Sequence, residues 1–179
     1  MLKIYQHTPA HLLLNDTFYM ITGAVYKKRK LLANDKAKGS LLNAINYWIG
    51  KLNWKLVDWV ILDNHYHLMT KSCKGMDLPK LIQQIHRKSA TEINQINGFK
   101  VKPLWYNYWD TCMRNKKDYF RRLNYILYNP VKHKYVKEIS NYKWSSFHIR
   151  LEKEGIEELQ MQFALYDYRN LELGDEDDF

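Results

Sequence analysis

Cysteine is scarce in this chain of 179 residues: Cys73 and Cys112 are the two it has. Two thiols do not make a disulfide framework, and they fit a reducing cytoplasm, the location expected here. No apolar run approaches the length of a membrane span. The start, MLKIYQHTPAHLLLNDT, has only the patch LLL and no signal-peptide core. A soluble protein with no membrane partner is the expectation. There is no internal repeat, and GDEDDF at the end is the one low-complexity tract. Acid is also scarce, but only in part of the chain. Residues 151–179 hold ten acids against Lys153 and Arg169, a net −8, so residues 1–150 carry 26 bases against nine acids, a net +17.

What is present is basic and aromatic. The apolar fraction is 46% and aromatics reach 15%, enough for one domain with a sizeable core. A surface that basic points to a polyanion, most often nucleic acid. Lysines that merely solubilise the surface would give the same charge. The interleaved rings favour nucleic acid, because a single strand stacks its bases while its phosphates pair with cations.

The pattern of elements reads as α+β. FYMITGAVY (18–26) is β-branched and aromatic, a strand. Residues 31–50 read as a helix, with LLNAINYWI at helical spacing. Residues 55–62 and 65–71 read as a hairpin around Asp63-Asn64. Residues 77–97 read as a second helix, with Asp77 as N-cap, Pro79 in its first turn and Gly98 closing it. LWYNYWDTCMR (104–114) reads as a strand, and 117–129 as a helix stopping at Asn129-Pro130, since a residue before proline leaves the helical region. A weak helix is predicted near 155–165. The order predicts one antiparallel sheet with helices packed on one face.

Within WVILDNHYHLMTK, alternate residues of a strand share a face, so His65 and His67 point the same way and their ring nitrogens can meet one ion. On spacing alone, one exposed and one hydrogen-bonded histidine is the plainer reading. A structural zinc site is a second reading, but needs four closed ligands. Two imidazoles with open positions fit a catalytic ion that leaves room for water or phosphate oxygens.

KKDYFRRLNYILYNPVK carries the second signal. Tyr119, Phe120, Leu123, Ile126 and Leu127 fall within an arc of roughly 120° on a helical wheel. Tyr125 lies off that arc and shares its face with Arg121, Arg122 and Asn129. Guanidiniums there would bind phosphate and favour a phenolate, and a tyrosine can act as a covalent nucleophile. An amphipathic surface tyrosine is the alternative, and Tyr128 is a rival nucleophile.

Taken together, DNHYHLM, LWYNYWDTCMRN, and YILYNPVKHKYV followed by YKWSSF resemble the HUH single-tyrosine transposases, in particular the REP-associated tyrosine transposases. The likeness covers about residues 10–150 and leaves 151–179 as an acidic C-terminal extension, either a solvated tail or a segment that folds back over the basic surface. The resemblance implies a ferredoxin-like or RRM-like antiparallel sheet. It implies that His65, His67 and Asn129 ligate a divalent ion, Mg2+ or Mn2+, and that Tyr125 is the nucleophile. It implies nicking and joining of single-stranded or hairpin DNA through a 5′-phosphotyrosine. Two positions depart from the family pattern: Asp63-Asn64 stands where relatives have Pro-Asn, and Asn129 where the insertion-sequence enzymes often have glutamine. Lys80, Arg87, Lys88, Arg114, Lys116 and Lys117 are candidate backbone contacts, with Arg121 and Arg122. Trp105, Tyr106, Tyr108 and Trp109 are rings that stack on bases or pack in the strand. Such relatives act either as homodimers or alone. A non-catalytic RRM-like binder of single strands and a water-using metal hydrolase are the competing functions.

Overall fold

The computed structural model describes residues 12–169 and 171. The chain runs β1 (Phe18–Val25), α1 (Asp35–Lys51), β2 (Lys55–Ile61), β3 (His65–Lys71), α2 (Leu78–Asn97), β4 (Trp105–Cys112), α3 (Lys116–Lys132), α4 (Phe147–Glu154) and α5 (Ile156–Leu165). The strands form one antiparallel sheet in the order β2-β3-β1-β4. The βαββαβ order with that sheet is the ferredoxin-like arrangement.

Local chemistry sets the ends of the helices. Leu31 and Leu32 belong to the core approach rather than to α1, because Asn34 caps the helix and its side chain accepts from the Lys36 amide at 2.7 Å. Gly98 closes α2 in the left-handed region, φ 71°, a conformation that costs glycine little. Asn115 caps α3, accepting from the Asp118 amide at 2.9 Å.

The helices do not share one face of the sheet, as the element order had predicted. Tyr19, Ile21, Trp59, Ile61, Tyr66 and Leu68 pack with α1 and α2, whereas Met20, Val60, Leu62 and Met69 pack with Leu123, Tyr125 and Ile126 of α3. The reason lies in β3: six of its seven residues are buried, so the strand is covered on both sides. His65, His67 and Met69 face α3; Tyr66 and Leu68 face α1 and α2.

Close packing fixes the register at the centre. Thr22, Gly23 and Ala24 of β1 stand opposite His67, Tyr66 and His65. A Cβ on Gly23 would meet Cε1, Cζ and Oη of Tyr66, each nearer than 3.0 Å, so that ring occupies the space glycine leaves. The Tyr66 hydroxyl meets His86 Nε2 at 2.9 Å, and His86 stacks on Trp105 at 4.5 Å.

Residue 150, where the charge of the chain changes sign, lies inside α4. Arg150 pairs with Asp58 of β2 at 2.8 Å and donates to Gln162 Oε1 of α5 at 3.0 Å. Asn124 of α3 donates to the Gln162 and Tyr166 carbonyls. The backbone of 144–146 bonds to Trp59 and Ile61, covering the edge of β2. The acidic stretch is therefore helical and packed as far as α5; residues 172–179, with GDEDDF, lie outside the described residues.

Candidate active site

The β2–β3 turn delivers His65 and His67 to the α3 face, where their ring centroids lie 5.0 Å apart. Each imidazole is held through Nδ1. His67 Nδ1 lies 2.8 Å from the hydroxyl of Thr22, its cross-strand neighbour. His65 Nδ1 lies 2.8 Å from Asn64 Oδ1. A carboxamide oxygen only accepts, so His65 Nδ1 is the donor and its Nε2 carries the lone pair. That Nε2 is 3.3 Å from Asn129 Oδ1. Two acceptors face each other there, an arrangement relieved by a cation between them or by turning the amide so that Nδ2 donates.

Burial keeps the imidazoles neutral. It pushes His65 down to about 3, helped by the charges of His133 and Lys132 and opposed by the Asn129 bond. It drives His67 well below the ordinary imidazole range, with His65, His133 and Lys132 adding to the effect. A neutral imidazole is the form that ligates a metal.

The donor set fits a divalent ion on a structural test. His67 Nε2 and Asn129 Nδ2 are buried with no hydrogen-bond partner among the described residues, an expensive state for polar atoms. Thr22 and Asn64 orient the two rings as outer partners of metal-ligating histidines do. Among the described residues no group of three or more His, Cys, Asp or Glu side chains converges on an ion position. The set on offer is two imidazoles and a carboxamide, and Cys73 is exposed beyond the end of β3.

Tyr125 meets this pair from α3. Its ring lies 5.5 Å from that of His67, edge to face. The wheel had set it apart from the core stripe, but it is only 3% exposed, because the sheet and the elements after α3 bury that helix on several sides. The cation at its hydroxyl is Lys132, whose Nζ donates to the phenol oxygen at 3.1 Å and sits 4.8 Å from the ring centroid. Arg121 donates to the Asp167 carbonyl and Arg122 to Asp118. Tyr128 packs on Tyr168 at 4.7 Å.

Lys132 and His133 were missed because α3 does not stop at Pro130. It runs on to Lys132, and His133 caps it through the Asn129 carbonyl. Proline removes one amide donor and disfavours the helical region before it, yet near a helix end that cost is small enough for packing to override. The extension brings the His133 ring to 4.9 Å from that of His65. The spacing Tyr-x6-Lys, two turns on one face, was the available signal.

The other predicted contacts lie elsewhere. Arg87 and Lys88 are on α2, across the sheet from the histidines, with Lys88 over the Tyr47 ring at 4.6 Å. Arg114, Lys116 and Lys117 are exposed around the start of α3. Trp105 is core, stacked on His86, while Tyr106 is exposed and Tyr108 and Trp109 are half-buried in β4.

The ferredoxin-like sheet thus presents paired histidines to a helical tyrosine on one face, and sequence comparison places the chain in a family. The chain belongs to the family of IS200-like transposases, whose profile matches residues 18–119, from β1 through the histidine pair to the start of α3. It is 33% identical over 91 residues to the REP-associated tyrosine transposase of Escherichia coli (strain K12), covering 50% of this chain and 52% of that protein. It is 33% identical over 98 residues to a putative REP-associated tyrosine transposase of Haemophilus influenzae (strain ATCC 51907 / DSM 11121 / KW20 / Rd), covering 49% and 56%. The chain thus matches about half the length of these curated relatives. A REP-associated tyrosine transposase solved bound to a REP hairpin superposes with a TM-score of 0.68 at 24% identity, over 99% of this chain and 95% of that one, and so shares the fold. Among the described residues no helix is long and apolar enough to cross a membrane.

Proposed function

We propose that this protein nicks and rejoins DNA, single-stranded or folded as a hairpin, with Tyr125 as the nucleophile. The observation that carries this reading is the meeting of Tyr125 with the histidine face: a phenol whose oxygen has a cation beside it, against an imidazole whose Nε2 has no partner among the described residues. Membership of the family supplies the reaction class, and the solved relative bound to a hairpin supports the substrate class.

In this reaction the Tyr125 oxygen attacks a backbone phosphorus. The bond from phosphorus to the 3′-oxygen breaks, and that oxygen takes a proton from solvent as the phenol proton is lost to solvent. The downstream strand is left joined to Tyr125 through its 5′-phosphate. The ester conserves the bond energy, so a 3′-hydroxyl can attack it in the reverse sense and reseal the strand without ATP. His65 and His67, with Asn129, would hold Mg2+ or Mn2+, which supplies charge neutralisation at the phosphate oxygens when bound. Thr22 and Asn64 keep the imidazoles oriented. Arg114, Lys116 and Lys117 offer cations for the backbone of the strand.

The test is a denaturing gel of 3′-labelled hairpin oligonucleotides with varied flanks, incubated with Mn2+ and the wild type, Tyr125→Phe or Tyr128→Phe. A shifted protein–DNA band lost only in Tyr125→Phe is the expected result. Cleavage without an adduct would replace this reading with a hydrolase. Binding without cleavage across the pool would replace it with a non-catalytic binder.

A further inference from the structure

On the reading just given, we propose that Lys132 is a catalytic residue: its ammonium holds the phenol oxygen of Tyr125 for attack and balances the charge that gathers there. Lys132 follows Tyr125 by seven residues, which places the two on one face of α3, two turns apart. The ammonium does two things at once. It donates to the phenol oxygen at 3.1 Å, and it lies over the same ring, 4.8 Å from the centroid. A contact made through both oxygen and ring fixes where the oxygen points, which a lone surface lysine does not do.

The placement depends on α3 passing through Pro130. A helix ending at Asn129 would leave Lys132 in a loop, with no fixed relation to the tyrosine. The side chain is otherwise exposed, so it contributes little to the core. The Tyr125 ring it covers meets the His67 ring edge to face at 5.5 Å, so the ammonium stands beside the histidine face.

Chemically, Lys132 stays protonated and neither gives nor takes a proton in the reaction. It stabilises the phenolate left when Tyr125 loses its proton, and the charge passed to the phosphate oxygens as the new bond forms. A compact charge on a flexible four-carbon stem can follow that oxygen from phenol to phosphate ester. A preorganised donor at a reacting oxygen contributes about 10²-fold or more in rate.

The experiment measures single-turnover adduct formation on the 3′-labelled hairpin that the wild type cleaves best, at saturating DNA with Mn2+. Wild type, Lys132→Met and Lys132→Arg are compared, with hairpin affinity measured on the Tyr125→Phe background. Lys132→Met is expected to keep the wild-type melting temperature and hairpin Kd while its saturated rate falls about 10²-fold. Lys132→Arg should recover most of that loss. Equal saturated rates for wild type and Lys132→Met would overturn the proposal, as would a defect confined to Kd, which would make Lys132 a backbone contact. An Arg variant as slow as Met would overturn the role of its charge. A wild type that forms no adduct defeats the nucleophile reading itself and this inference with it, an outcome distinct from an active wild type indifferent to Lys132.

Discussion

Gly23 is the position where the smallest change should have the largest effect. Its Cβ, once added, would overlap three atoms of Tyr66. That ring cannot swing aside easily: it is fully buried, bonded to His86 through its hydroxyl and packed edge-on against Trp105 at 5.6 Å. Overpacking a core by one methyl costs about 1–3 kcal/mol. A displaced hydroxyl forfeits about 1 kcal/mol more from its hydrogen bond. Gly23→Ala is therefore expected to lose about 2–4 kcal/mol, a melting-temperature drop of roughly 5–15 °C for a domain of this size. Chemical denaturation with far-ultraviolet circular dichroism measures it. The structure also predicts coupling: adding Tyr66→Leu frees the space, so the double variant should be more stable than the sum of the single losses by at least about 1 kcal/mol. Tyr66 lies between His65 and His67 in β3, so the Gly23→Ala protein should bind Mn2+ more weakly as well. A single variant within about 0.5 kcal/mol of wild type, or strict additivity in the cycle, would refute the packing argument.

Other consequences concern buried charge and the histidines. Arg150→Met leaves the Asp58 carboxylate buried without its partner and should cost about 3–5 kcal/mol, with Asp58→Asn restoring part of it; urea unfolding of both variants checks this. His65, His67 and His86 are all pushed below the ordinary value of 6.5 by burial, so the native state stays neutral where the unfolded chain takes up protons. In EDTA, stability should therefore be full above about pH 6.5 and fall with acidification by up to about 4 kcal/mol per pH unit for the three together; a flat urea midpoint from pH 7 to 5.5 would contradict it. Thr22→Val removes the hydroxyl that orients His67 and should weaken Mn2+ binding about 10-fold by calorimetry without unfolding the protein, whereas His67→Ala should abolish it.

Much of the fold was legible in the sequence. The hairpin around Asp63-Asn64 was readable because turn residues interrupt two β-branched and aromatic runs, and Gly98 marked the end of α2. The histidine pair was readable because a strand has a strict period of two. The second layer of helices was not, since HYHLMTK carries bulky side chains on both faces, with His65, His67 and Met69 on one and Tyr66 and Leu68 on the other, and no polar face marks a solvent side. At the site, local rules misled where tertiary packing prevailed. Pro130 was read as a stop, which hid Lys132 and His133, and the wheel placed Arg121 and Arg122 near Tyr125 without showing that Asp167 and Asp118 engage them. Thr22 lay forty-five residues from its partner His67, a pairing that only the sheet register reveals.

The acids of α4 and α5 have a consequence beyond composition. Glu152, Glu157 and Glu158 ride on helices fastened to α3 and β2 through Asn124, Gln162, Arg150 and Asp58, so they act from fixed positions rather than sweeping over the surface. The lysines and arginines of α2 stand on the other side of the sheet. On the acids' own side of the sheet α3 carries Lys116, Lys117, Arg121, Arg122 and Lys132 against Asp118, so acids and bases share that side. Fixed carboxylates repel a polyanion from the surface they occupy, so α4 and α5 bound the approach a nucleic acid can take to that side.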